Sequence, residues 1–167
     1  MTTSTQSFEG GCTCGHVRYK MNNTPLIVHG CHCRWCQRQS GGAFAINALV
    51  EADQVEVTKG EVAEILVPSP KGAGQIIVRC PICQVALWSN YLVFAKTLGK
   101  LVRFVKVGTL DDPDRFPPDI HIFTSTKQPW FTLPSDARSV DIYYDTDKTW
   151  SQPSLKRLDV LKAIAEG

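Results

Sequence analysis

Seven cysteines in this 167-residue chain carry the spacing of metal ligands. They fall into three groups: Cys12-x-Cys14, Cys31-x-Cys33-x-x-Cys36 and Cys80-x-x-Cys83. In an extended strand, residues i and i+2 share a face, so Cys12 and Cys14 can reach one metal from one strand. Cys80-Pro81-Ile82-Cys83 reads as a turn that Pro81 helps to fix. A turn of this kind presents two sulfurs and commonly forms half of a tetrahedral site. The two halves predict a closed four-cysteine zinc site, which would staple a loop of about seventy residues.

The middle group predicts something else. Three sulfurs come from the six consecutive residues 31 to 36. A segment that short fills three corners of a tetrahedron and leaves the fourth open, the pattern of catalytic rather than structural zinc. Other uses of the cysteines fit less well. Disulfides suit an exported chain, but seven is odd and the N-terminus, Met-Thr-Thr-Ser-Thr-Gln-Ser, has neither a basic start nor an apolar run. An iron–sulfur cluster needs four thiolates in most forms, which this grouping does not cleanly supply. The main rival is a closed structural site, with His29, His32, His16 or His121 as the fourth ligand.

Thiolate ligands also change the charge. The formal net charge is +2 with every cysteine neutral; seven thiolates take it to −5, and two Zn²⁺ return it to −1. The basic balance therefore gives no support to nucleic-acid binding. Hydrophobic residues make up 43% and charged residues 20%, the composition of one globular domain. No stretch approaches the ~18 apolar residues of a membrane span. A cytoplasmic location, where thiols stay reduced, is expected.

The elements that must position the cysteines read as short strands. Val17–Met21 alternates as a half-buried strand does, and Leu26–Val28 is a short apolar strand after the Asn22–Pro25 turn. Arg34–Ser40 is expected to form a helical turn or two before Gly41-Gly42, with N–H groups lowering the pKa of Cys36. Further strands are expected at Ala43–Val50, Val55–Thr58, Ala63–Val67, Gln75–Arg79, Ala86–Ser89, Val102–Gly108 and Ile120–Thr124. Leu155, Leu158, Leu161 and Ala165 recur at helical spacing, and Pro153 suits a first turn. The expected organisation is a flexible N-terminus (1–7), a zinc domain (8–135) and a tail (136–167) with a helix over about 153–166. The tail helix is expected to dock on its own domain or on a second subunit.

The string Gly11-Cys12-Thr13-Cys14-Gly15-His16-Val17-Arg18-Tyr19 resembles the opening of the glutathione-dependent formaldehyde-activating enzyme family. So does Cys31-His32-Cys33-Arg34-Trp35-Cys36-Gln37-Arg38-Gln39-Ser40-Gly41. Cys80-x-x-Cys83, Val107-Gly108-Thr109-Leu110-Asp111-Asp112-Pro113, Pro118-x-x-His121-Ile122 and Trp130 follow in the family's order. The resemblance covers about residues 8 to 135. It implies a mainly β fold, the Mss4-like β-tent of short antiparallel strands with zinc sites, here with a C-terminal helix added. It implies a structural zinc on Cys12, Cys14, Cys80 and Cys83 and a catalytic zinc on Cys31, Cys33 and Cys36, the second site sometimes partly empty. It also implies carbon–sulfur lyase chemistry on a thiol–aldehyde adduct, such as S-(hydroxymethyl)glutathione formed from glutathione and formaldehyde. One departure is visible: the family commonly has glycine after the second turn, where this chain has Gln84.

Elementary chemistry agrees with the implied activity. Zinc held by three thiolates carries a net charge of −1, which suits a soft fourth ligand better than hydroxide. A small-molecule thiol, glutathione first, is the expected partner; nucleic acid and membrane are not. A second thiolate charge needs cations nearby, and Arg34 and Arg38 are nearest in sequence. His121 is the candidate proton carrier, having an ordinary pKa near 6.5. Trp35, Arg38 and Trp130 are the candidate substrate contacts. The contrasting expectation is a non-catalytic, zinc-stabilised binding or scaffold protein, and the fourth ligand of the middle site separates the two.

Overall fold

The computed structural model describes residues 6–69, 72–94 and 98–166. Ten strands form two sheets. β1 (Phe8–Gly11), β2 (Arg18–Met21) and β5 (Val55–Lys59) make a three-stranded sheet in the order β1-β2-β5. The larger sheet joins β10 (Ile120–Ile122), β3 (Ile27–Cys31), β4 (Ala45–Glu51), β9 (Val102–Lys106), β8 (Ala86–Tyr91), β7 (Gln75–Arg79) and β6 (Ala63–Val67), in that spatial order. Neighbours are antiparallel throughout, except that β10 runs parallel to β3. The expected mainly β fold of short antiparallel strands with a C-terminal helix is what the chain adopts.

Side-chain alternation gives the large sheet two different faces. Val28, Ala48, Val50, Val78, Trp88 and Val105 point toward the small sheet and pack with Val17, Tyr19 and Met21. On the other face Ile27, Leu49, Ile120 and Ile122 form a second core with Trp150, Leu158 and Leu161. The last two lie on α3 (Gln152–Glu166); a short turn of helix, α2 (Thr146–Thr149), precedes it. The tail helix therefore docks on its own chain. Leu158 and Leu161 are each about 5% exposed, and full burial of such a side chain contributes roughly 2 kcal/mol. Ser154 Oγ donates to the Leu26 carbonyl at 2.7 Å, and Arg157 forms a two-pronged ion pair with Glu51.

Several boundaries differ from expectation for physical reasons. β1 was not expected as a strand, because Gly10 and Gly11 lower strand propensity. A Cβ at Gly10 would lie 2.6 Å from the Tyr19 ring, so the glycine is what lets Tyr19 cross the strand. The ninth strand stops at Lys106 because Val107–Thr109 turns into a 3₁₀ helix, and the tenth stops at Ile122 because Phe123 takes φ 56°. The N-terminus expected to be flexible, 1–7, falls largely outside the described residues.

Candidate metal centres

Cys12 and Cys80 open two turns of the same design. Cys12 N–H donates to the Val17 carbonyl at 3.1 Å, and Cys80 N–H donates to the Val85 carbonyl at 3.0 Å. In each case the chain reverses over five residues and re-enters a strand. Each turn needs a left-handed residue: Gly15 at φ 75° in the first and Gln84 at φ 60° in the second. Gln84 is the residue that replaces the family's usual glycine. It holds its conformation by donating its N–H to the Cys80 carbonyl at 3.1 Å and its Nε2 to the Pro81 carbonyl at 2.8 Å. The two turns bring Cys14 Sγ to 3.7 Å from Cys80 Sγ, across a separation of 66 residues. The sulfurs of Cys12, Cys14, Cys80 and Cys83 all lie within 4.8 Å of one another, so this group could hold a metal ion. Backbone N–H groups of Val85 and Cys14 lower the Cys83 pKa to about 6. The group packs against the core that faces the small sheet.

The second group sits on the other face of the large sheet. Cys31 ends β3, Cys33 caps α1 (Arg34–Ser40), and Cys36 lies in that helix. Their three sulfurs also lie within 4.8 Å of one another and could hold a metal ion. Among the described residues, no histidine nitrogen or carboxylate oxygen joins them. His29 Nε2 is instead hydrogen-bonded to the Tyr144 hydroxyl at 2.5 Å, which accepts from Trp150 Nε1. His32 Nε2 is bonded to His121 Nδ1 at 2.9 Å.

The benefit of the helix N-terminus goes to a different cysteine from the one expected. The Cys36 N–H donates to Cys33 Sγ at 3.3 Å, because Cys33 occupies the N-cap and Cys36 is already inside the helix. Hydrogen bonds from Cys31, Cys36 and the backbone bring Cys33 down to about 3, whereas Cys36 is pushed up to about 12. Sequence spacing alone did not reveal which of the two residues caps.

Two glutamines fix the helix over the sheet, and neither was singled out from the sequence. Gln37 Nε2 donates to the carbonyls of His32 and Thr126, while its Oε1 accepts from Arg34 and Gln128. Gln75 Oε1 accepts from Trp35 Nε1 and Gln39 Nε2, and its own Nε2 donates to Ser89 Oγ at 2.7 Å. An open cleft of about 410 Å³ runs beside α1, between Trp35, Arg38 and Gln39 on the helix and Val67, Ile77 and Arg79 on the sheet side. Trp35 and Arg38 thus come together on the helix that carries Cys36. Arg34 is exposed and turned to Gln37.

His121 and Trp130 belong to a different neighbourhood. His121 pairs with Gly30 across β10 and β3, so its side chain leaves the sheet on the face opposite to Cys31. A Cβ on Gly30 would meet the His121 ring at 2.6 Å, which explains a glycine between His29 and Cys31. Burial lowers the pKa of His121 and brings that of His32 to about 4. Phe44 stacks on His32 at 4.8 Å, Phe131 packs beside both, and Trp130 meets Phe131 edge-on while remaining exposed.

A cation does face the three-cysteine group, but it is not an arginine of α1. Lys106, at the end of β9, is half-buried and donates from Nζ to Asn47 Oδ1 at 2.8 Å. Burial lowers its pKa, and the thiols of Cys36, Cys31 and Cys33 act in the opposite sense. Sixty-nine or more residues separate Lys106 from these cysteines in the sequence, so proximity along the chain gave no sign of it.

No helix among the described residues is long and apolar enough to cross a membrane. No curated protein matches the chain. A solved structure of a Rhodobacter sphaeroides protein, determined as a structural-genomics target, is similar over 62% of this chain and 87% of its own, at 17% identity and a TM-score of 0.44. The model of the glutathione-dependent formaldehyde-activating enzymes matches residues 7–126. That span contains all seven cysteines and both sulfur groups. The chain belongs to the glutathione-dependent formaldehyde-activating enzyme family.

Proposed function

We propose that the chain is a zinc-dependent carbon–sulfur lyase acting in the cytoplasm on a thiol–aldehyde adduct, with S-(hydroxymethyl)glutathione from glutathione and formaldehyde as the leading case. The observation that carries this reading is the three-sulfur group that no histidine or carboxylate joins among the described residues, set on a helix that also lines an open cleft. Both donor sets suit zinc, which takes thiolates in tetrahedral sites. The four-cysteine group would hold a structural ion, and Cys31, Cys33 and Cys36 the reactive one. Bound zinc would supply a positive centre that lowers the pKa of an incoming thiol.

The chain's own residues do the rest. The neighbouring Cys31 and Cys36 thiols, with the N–H groups of the helix N-terminus, favour the charged form of Cys33. Trp35 gives the substrate an apolar wall, while Arg38 and Arg79 offer guanidinium groups to its carboxylates. Trp130, exposed beyond Phe131, is assigned an outer contact. In the forward direction the thiol sulfur forms a bond to the aldehyde carbon, the C=O π pair moves to oxygen, and the thiol proton ends on that oxygen. His121, whose Nδ1 is hydrogen-bonded to His32 Nε2, is the candidate carrier for the proton.

Exchange between glutathione, formaldehyde and their adduct is measurable by NMR at equilibrium. Metal-loaded protein should speed that exchange well beyond the uncatalysed rate, and Cys36→Ser should return it to the uncatalysed rate. His121→Asn should slow exchange at least tenfold with the fold intact if the histidine carries the proton; an unchanged rate removes it from the mechanism. Fully loaded protein that accelerates exchange for neither glutathione nor other small thiols would overturn the proposal.

A further inference from the structure

Lys106 presents an unbalanced charge. It is half-buried, and among the described residues its amine has one hydrogen-bond partner, the Asn47 amide oxygen, although an ammonium carries three donors. Among the described residues no carboxylate pairs with it. A half-buried ammonium is screened less than an exposed one and gains from a counter-charge close by.

Strand register shows where that charge lies. Asn47 pairs with Lys106 on one side and with His29 on the other. Cross-strand partners share a face and alternate residues share a face, so Lys106, Asn47, His29 and Cys31 all project from the same side of the sheet. Lys106 starts two strands across and two residues along from Cys31, about 12 Å away, a gap that a four-carbon stem and a cysteine side chain narrow from both ends. Among the groups that act on the amine, the sulfurs of Cys36, Cys31 and Cys33 favour its charge, and Arg79 opposes it. In the four-cysteine group the cations sit on turn carbonyls instead, Lys59 on Gly15 and Arg79 on Gln84.

We infer that Lys106, held by Asn47, is the counter-charge of the three-cysteine centre and makes its open position prefer an anionic fourth ligand to a neutral one. The inference rests on the reading of that centre as an open metal site. Three thiolates and a divalent ion leave −1, which the ammonium cancels; an incoming thiolate then raises the local charge to −1 rather than −2. Lys106 is a positioning residue in this scheme, acting on the ligand through the field it sets.

The test uses the whole protein loaded with cobalt, whose visible bands report the fourth ligand. Azide serves as the anionic probe and imidazole as the neutral one. Lys106→Met should lower the ratio of azide to imidazole affinity at least tenfold, about 1.4 kcal/mol. Lys106→Arg, which keeps the charge, should hold the ratio within about threefold of the parent. An unchanged ratio in Lys106→Met, or an equal collapse in Lys106→Arg, overturns the inference. If Lys106→Met does not load cobalt, Lys106→Arg decides alone: a retained ratio supports the inference and a collapsed one overturns it. Parent protein that binds both probes but no small thiol counts against the thiol-adduct reading and leaves the lysine to be judged by the ratio. Parent protein that binds neither probe overturns both.

Discussion

The two cysteine groups use the same ligand atom on opposite faces of one sheet, and their surroundings differ in three respects. The four-cysteine group draws on two turns 66 residues apart, whereas the three-cysteine group comes from a single segment at the end of β3. In the first, Lys59 and Arg79 bind the turn carbonyls of Gly15 and Gln84; the second faces the half-buried Lys106. The first is complete in its donors, and the second lacks one. A group assembled from distant segments ties the fold together, because metal-binding energy there is folding energy. A group assembled locally can lose its metal without separating any two parts of the chain. The difference teaches that connectivity, more than ligand type, decides which site can be given over to chemistry.

The largest effect should come from serine substitutions in the two groups. Cys12→Ser or Cys80→Ser should unfold the protein or lower its stability by about 4 kcal/mol or more, since either frees a long loop and leaves an unpaired donor set. Cys36→Ser should cost about 1 kcal/mol, the scale of one altered helix contact. Thermal melts of zinc-loaded samples check this, and equal losses in the two classes would break the comparison.

Acid should act through the buried histidines, His29 on the face of the three-cysteine group and the His32–His121 pair on the other. Burial lowers His29 to about 3, far below the ordinary 6.5. As pH falls below 6.5 the unfolded chain takes up this proton before the folded chain does. The contribution is fully present above pH 6.5 and is lost as pH falls toward 3. Between pH 7 and 5 the loss should be about 2 kcal/mol. His29→Asn should remove that part of the slope in urea unfolding. A parent and variant with the same slope would place the acid sensitivity elsewhere, in the cysteine sites themselves.

Much of this organisation was legible in the sequence because the cysteines are both rare and regularly spaced. Their grouping separated a four-sulfur site from a three-sulfur site, and the strings around them carried the family. Strand positions were legible where apolar residues alternate, as in Val17–Met21. What was not legible depended on contacts between distant segments. Lys106 and Asn47 meet only because β9 lies beside β4. Gln37 and Gln75 read as ordinary surface amides until α1 is laid across the sheet. The N-cap role of Cys33 turns on a one-residue difference in where the helix begins. The separation of His121 from the face of Cys31 follows from a parallel pairing that no local pattern announces.

A smaller effect distinguishes the two turns within the four-cysteine group. Gln84→Gly should raise stability by about 0.5 kcal/mol, because glycine relieves a left-handed strain of about 1 kcal/mol and gives back part of that through the unfolded chain. Gly15→Ala should lower stability by about 1 kcal/mol, even though nothing lies within 4 Å of the added Cβ, because φ is 75° there. Opposite signs from the two turns would show that backbone conformation, not crowding, limits each.

The central claim is that one metal site is closed by protein and the other is open to a thiol. X-ray absorption at the zinc edge of protein carrying two zinc ions counts sulfur neighbours directly. The account predicts an average of about 3.5 sulfurs per zinc at rest, rising to about 4 when a saturating thiol binds, with Cys36→Ser losing the rise. An average that does not change on adding glutathione or any other small thiol would contradict it.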